Sequence, residues 1–199
     1  VLLDDRTHDV SLLALQGPLA ESVLPAASLE LDALPYFGFG EGDIDGIRTL
    51  ISRTGYTGED GFELFVPAEH AVQVWRGVLE AGRVAGVLPC GLAARDACRL
   101  EAGLRLYGND MDETTNPYDA GLAWTVKLGK GPFVGSEALA RIKAAGPARR
   151  VLGLKASDRT IPRHDTPVLK GGRVVGRAPR GTWSFFLDRG VAMITVETG

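Results

Sequence analysis

The spacing of apolar and polar positions changes period several times along the chain, and each change marks an element. "DVSLLALQGPLAESVL" predicts a strand over Val10–Leu15, a turn at Gly17, and a helix begun by Pro18 and running to about Leu24. Residues 25–46 are expected to be loop-rich. Apolar runs at Ile47–Ser52 and Phe62–Val66 predict two strands. In "AEHAVQVWRGVLEAG", Val72, Trp75, Val78 and Leu79 fall at helical spacing, so this stripe is expected to face the core and the helix to stop at Gly82. "GLAARDACRLEAG" predicts a second helix over Leu92–Ala102, ended by Gly103, with Arg95 and Arg99 on one face and Leu92 and Leu100 held to the core.

Beyond it, "LYGNDMDETTNPYDAG" reads as loop broken at Asn116-Pro117, "LAWTVKL" as a strand, and "GSEALARIKAAG" as a short amphipathic helix closing a first domain. From about Ala148 the pattern becomes strands and tight turns: "RRVLGLKA", a hairpin in "TPVLKGGRVVGRA" around Gly171-Gly172, and "VAMITVE". The last of these strands has no obvious closing partner. An α+β organisation follows, with a body over residues 1–147 and a small all-β domain over 148–199.

One connection is unusual. "RTGYTGEDGFELFVP" (Arg53–Pro67) joins two of the expected strands with Gly55, Gly58 and Gly61 at three-residue spacing. Glycine costs most to order, so three of them imply positive φ or something that approaches the backbone closely. A plain connector and a loop shaped to receive a ligand both fit.

Composition narrows the classes of function. The 199 residues carry 22 basic and 25 acidic side chains, a formal charge of -3, which disfavours nucleic acid as a partner. No apolar run is long enough to span a bilayer, and the first residues have neither a basic nor a long apolar leader region, so a cytoplasmic protein without membrane partners is expected. The chain opens on strand-like residues without an initiator Met, which suggests that it begins inside a larger protein. Cys90 and Cys98 lack CxxC spacing and are expected to fill core; His8, His70 and His164 are isolated, so no metal site is expected.

Three blocks carry a resemblance: "SRTGYTGEDGFELFVP", "GLAARDACRLEAGLRLYGNDMDETTNPYDAGLAW", and a β-rich tail containing "IPRHDTPVL". In this order they closely resemble the T-protein family of the glycine cleavage system, folate-dependent aminomethyltransferases, from about Leu12 through Leu169. The resemblance implies antiparallel sheets with flanking helices followed by a β-barrel-like domain. It implies tetrahydrofolate as co-substrate and the lipoyl carrier protein (H protein) as partner: a one-carbon unit passes from the aminomethyl-lipoyl group to tetrahydrofolate and ammonia is released.

A pterin presents an amino group and a ring N–H side by side, which one carboxylate can accept together. Glu63 matches the family's pterin-contacting glutamate, with Glu59 and Asp60 as rivals. Arg95 matches a folate-contacting arginine, Trp124 an aromatic lining residue, and Arg163 a contact from the β domain; Arg95 could instead pair with Asp96 or Glu101, and Trp124 could be core. The family's catalytic aspartate belongs to an N-terminal segment expected upstream of residue 1, so neither Asp4 nor Asp5 is assigned that role and the chain alone is expected to be inactive. Pro179 and Arg180 stand where the family usually has a small hydroxyl pair. Folate-dependent demethylases, the folate domains of sarcosine- or dimethylglycine-oxidising enzymes, and a non-catalytic folate-binding protein remain alternatives.

Overall fold

The computed structural model describes residues 2–24 and 28–198. The loop expected at residues 25–27 and the expected end of the last strand at Gly199 lie outside these residues. The chain divides into two compact units, residues 1–95 and 96–199, at a boundary inside a helix.

The first unit is built on a four-stranded antiparallel sheet of order β1-β4-β3-β2, formed by β1 (Val10–Gln16), β2 (Phe39–Ile44), β3 (Ile47–Ser52) and β4 (Gly61–Pro67). One face is apolar: Leu15, Ile51, Phe62, Leu64 and Val66 are buried with Val23 of the short helix α1 (Ala20–Val23) and Val74 of α2 (Ala71–Ala81). The strand period of two puts Gln16, Ser52 and Glu63 on the opposite face.

Three expectations change in this unit. β2 replaces the end of the expected loop: its inward positions Gly40 and Gly42 carry no apolar side chain because Leu29 fills their space, so the alternation was invisible. On α2 the buried residue is Val74, with Ala71 and Val78 packed against the same core, while Val72 and Trp75 face outward. Cys90 is exposed and so fills no core.

Helix α3 (Leu92–Glu101) is also rotated from expectation, for Leu92 is exposed while Arg99 is fully buried beside Leu100. Arg99 can be buried because polar groups surround it: its Nε donates to Asp96 Oδ1 at 2.8 Å, and its Nη1 donates to Leu104 O at 3.2 Å and to the Asp110 carboxylate.

In the second unit "LAWTVKL" forms two single 3-10 turns, Ala123–Thr125 and Leu128–Lys130, and no strand. Gly121 at φ +71° and Gly131 at φ +101° bracket the segment, and its amides bond locally, Thr125 N–H to Leu122 O and Val126 N–H to Ala123 O. Helix α4 (Ser136–Ala145) follows. The second antiparallel sheet comprises β5 (Arg149–Lys155), β6 (Thr166–Lys170), β7 (Arg173–Ser184) and β8 (Arg189–Glu197), in the order β5-β8-β7-β6. The strand expected to lack a partner, β8, has two, pairing with β5 on one side and β7 on the other. Gly171 and Gly172, both at positive φ, form the β6–β7 turn as expected. Arg180 on β7 donates to Asp96 Oδ2 at 2.6 Å, an ion pair that a small hydroxyl residue could not make.

Candidate functional site

The glycine-rich connection between β3 and β4 is held by its own first residue and by β1. Arg53 donates to both Asp60 carboxylate oxygens, to Glu21 Oε2 at 3.1 Å, and to the carbonyls of Leu31 and Leu34 at 3.1 and 3.3 Å. This fork fastens the two ends of the loop together and draws Asp60 below the ordinary carboxylate range, chiefly through the hydrogen bond from Arg53.

From β1, the Gln16 carboxamide enters the loop. Its Nε2 donates to Thr54 O at 3.1 Å and Phe62 O at 3.3 Å, and its Oε1 accepts from Thr57 Oγ1 at 3.3 Å. Two of the three glycines are explained by the close approach of β1: a Cβ at Gly55 would collide with the Gln16 amide, and one at Gly61 would lie 2.6 Å from Leu15 O and 2.8 Å from both Gln16 Cα and the Gln16 carboxamide carbon. Gly58 supplies the other reason, a positive φ of +85°. Gln16 carried no signal as a loop brace, since the glycine spacing reveals a close approach without naming the approaching group.

Glu63, half-buried on β4, stands opposite Ser52 on β3 and Ala14 on β1. The Thr54 hydroxyl donates to Glu63 Oε2 and lies 2.9 Å from Ser52 Oγ. Of its rivals, Asp60 is committed to Arg53 and Glu59 is exposed on the turn. Arg95 is exposed, its guanidinium 4.6 Å from the centre of the Tyr56 ring. Asp96 is occupied elsewhere, by Arg99 and Arg180. Tyr56, in the glycine motif, is therefore a neighbour of Arg95 that the sequence reading had not singled out. Near the same loop, an open hollow of about 490 Å³ lies between Leu34–Tyr36 and Gly58–Asp60 with Arg53 beneath; Glu63 and Arg95 do not line it.

The remaining sequence candidates belong to the second unit. Trp124 sits on the first 3-10 turn, 67% exposed, which removes the alternative of a core tryptophan. Arg163 is exposed at the turn before β6, where its N–H donates to Thr166 Oγ1 at 3.0 Å and its carbonyl accepts from the same hydroxyl at 2.7 Å. Asp5, upstream of β1, accepts from the Thr7 amide at 3.0 Å and the Thr7 hydroxyl at 2.6 Å. Among the described residues no three His, Cys, Asp or Glu side chains gather as a metal site, and no helix is long and apolar enough to cross a membrane.

Comparison with known proteins extends these observations. The family model of the GCVT N-terminal domain matches residues 1–130, and that of the glycine cleavage T-protein C-terminal barrel domain matches residues 149–199. An aminomethyltransferase of Symbiobacterium thermophilum is 47% identical over 199 residues, covering 98% of this chain and 53% of its own length. One from Halothermothrix orenii is 45% identical over 190 residues, covering 95% of this chain and 53% of the relative. The crystal structure of the glycine cleavage system aminomethyltransferase T from Bartonella henselae superposes with a TM-score of 0.85 at 38% identity, over 94% of this chain and 52% of that one. The chain thus spans about half the length of the relatives it matches. Because the two domain families follow one another in this order and leave only residues 131–148 unmatched, the chain belongs to the glycine cleavage T-protein family.

Proposed function

We propose that this chain forms the folate-binding part of an aminomethyltransferase of the glycine cleavage system. The reaction takes the one-carbon unit from an aminomethyl-lipoyl carrier protein, releases ammonia, and delivers 5,10-methylenetetrahydrofolate. The lipoyl carrier (H protein) is then the macromolecular partner, and the cytoplasm the compartment.

The observation that carries the reading is Glu63: a half-buried carboxylate presented from β4 beside the glycine motif, with one hydroxyl already donated to it. The Thr54 bond occupies one lone pair of Oε2 and leaves acceptor capacity on both oxygens, so Glu63 can take the amino group and adjacent ring N–H of a pterin together. Arg95 offers a planar fork for the anionic glutamate tail of the folate, and its cation–π contact with Tyr56, 4.6 Å from the ring centre, keeps the guanidinium beside the glycine motif. Trp124 gives an exposed flat surface suited to the aminobenzoyl ring, and Arg163 a second cation for the tail. Within the first unit, Glu63 and Arg95 bind and orient the co-substrate. The carboxylate that would stabilise positive charge near N10 is assigned to no residue of this chain.

Isothermal titration of tetrahydrofolate into the chain and its variants tests the reading. Glu63→Gln should weaken binding by about 1.5–3 kcal/mol, the worth of hydrogen bonds to a charged group, while Glu59→Gln should change it little. Equal losses in both variants would overturn the assignment.

A further inference from the structure

We propose that Thr54 is the positioning residue of Glu63 and that Gln16 holds Thr54 in register, an inference that rests on the reading of Glu63 as the pterin contact. A glutamate on an open sheet face has three side-chain torsions and several accessible rotamers. The neighbours of Glu63 in the sheet, Ala14 and Ser52, are too small to confine it. Confinement comes instead from Thr54, whose hydroxyl donates to Glu63 Oε2.

Thr54 suits this work. It is β-branched, so its first torsion is stiff and holds the hydroxyl oxygen between Glu63 Oε2 and Ser52 Oγ, the latter 2.9 Å away. Its main chain is fixed separately: Gln16 Nε2 donates to the Thr54 carbonyl and to the carbonyl of Phe62, the residue preceding Glu63. One carboxamide from β1 thus ties the donor and the acceptor of the hydroxyl bond to the same point. Gly55 and Gly61 leave the room in which that carboxamide lies.

The arrangement has a chemical consequence. A carboxylate ordered before the ligand arrives loses less freedom on binding, and filling one lone pair with a hydroxyl fixes which lone pairs face outward. Glu63 then selects a ligand edge that presents two donors side by side and repels one that presents an oxo acceptor.

Titration with tetrahydrofolate, together with a thermal melt of each variant, tests the proposal on Thr54→Val, Thr54→Ser, Glu63→Gln and the Glu63→Gln/Thr54→Val pair. Thr54→Val keeps the shape and removes the hydroxyl; it should weaken binding about tenfold, the size of one hydrogen bond to a charged group. Thr54→Ser restores the hydroxyl and should bind within about twofold of the parent. In the Glu63→Gln background the Thr54→Val change should add almost nothing. If Glu63→Gln weakens binding but Thr54→Val does not, Thr54 is not a positioning residue and the folate reading stands. A full Thr54→Val loss in both backgrounds, or one tracking a fall in melting temperature, marks a structural role only and overturns the proposal. Unchanged binding by Glu63→Gln overturns the proposal and the reading beneath it together.

Discussion

The guanidinium of Arg99 and the carboxylate of Asp110 are ion-paired with both side chains fully withdrawn from solvent. Asp110 Oδ2 also accepts the Leu106 amide at 2.8 Å, so the pair fixes the chain that leaves helix α3. Removing one partner strands a buried charge. Asp110→Ala should therefore cost about 3–5 kcal/mol in urea denaturation, whereas replacing Arg99 and Asp110 together by apolar residues of similar volume should recover most of that loss. A mild single-variant effect would mean that the charges are less buried than described.

The glycines of the Arg53–Pro67 motif should differ in tolerance. At Gly61 the added methyl meets Leu15 O, a backbone atom of β1 that cannot move without disturbing the β1–β4 ladder. At Gly55 it meets only the end of the Gln16 side chain, which can swing aside. Gly61→Ala should lower stability by about 1–3 kcal/mol, the range for overpacking, and Gly55→Ala by less. Denaturation midpoints of the two variants decide the order.

Acid stability should depend on Asp60. Its pKa is depressed in the folded protein, first by the Arg53 hydrogen bond, with burial opposing. A depressed carboxylate stabilises the fold fully above its unfolded pKa and loses that contribution as pH falls through the folded value, so the loss begins below about pH 4. Asp60→Asn should lower stability at neutral pH and flatten its decline below that point. The flattening is partial, because Asp112, held down by Thr114 and Thr115, titrates in the same direction. Urea midpoints measured from neutral pH downward would show it, and parallel curves for parent and variant would remove Asp60 from the account.

What the sequence disclosed was governed by whether a residue's job shows in its own side chain. The β3 strand was legible to the residue, Ile47–Ser52, because its apolar run shows directly in the sequence. The β2 strand was not, because the side chain filling its inward face belongs to Leu29, elsewhere in the chain. Arg99 looked like a surface cation on a helix, for nothing in the spacing of α3 announces that Asp96, Asp110 and the Leu104 carbonyl converge there. In the site, the need for close approach was written in the glycines, while the group that approaches, Gln16, lies 45 positions before Gly61, its register partner. Periodicity reports contact with an apolar core; it is silent about polar contacts made at long range.

That long separation also sets an order of assembly. The β2–β3 hairpin closes over the two residues Asp45 and Gly46, both at positive φ, and β4 follows after the glycine motif, so three strands of the first sheet can zip locally. β1 must be recruited from far along the chain, and closing so long a loop is the slower event. Until it docks, the motif lacks the Gln16 amide and exists as an unbraced loop. A molecule that recognises the braced form gains nothing from a chain still on its way to the folded state. Its effect falls on the return path, slowing escape from the native state while leaving the rate of arrival nearly unchanged.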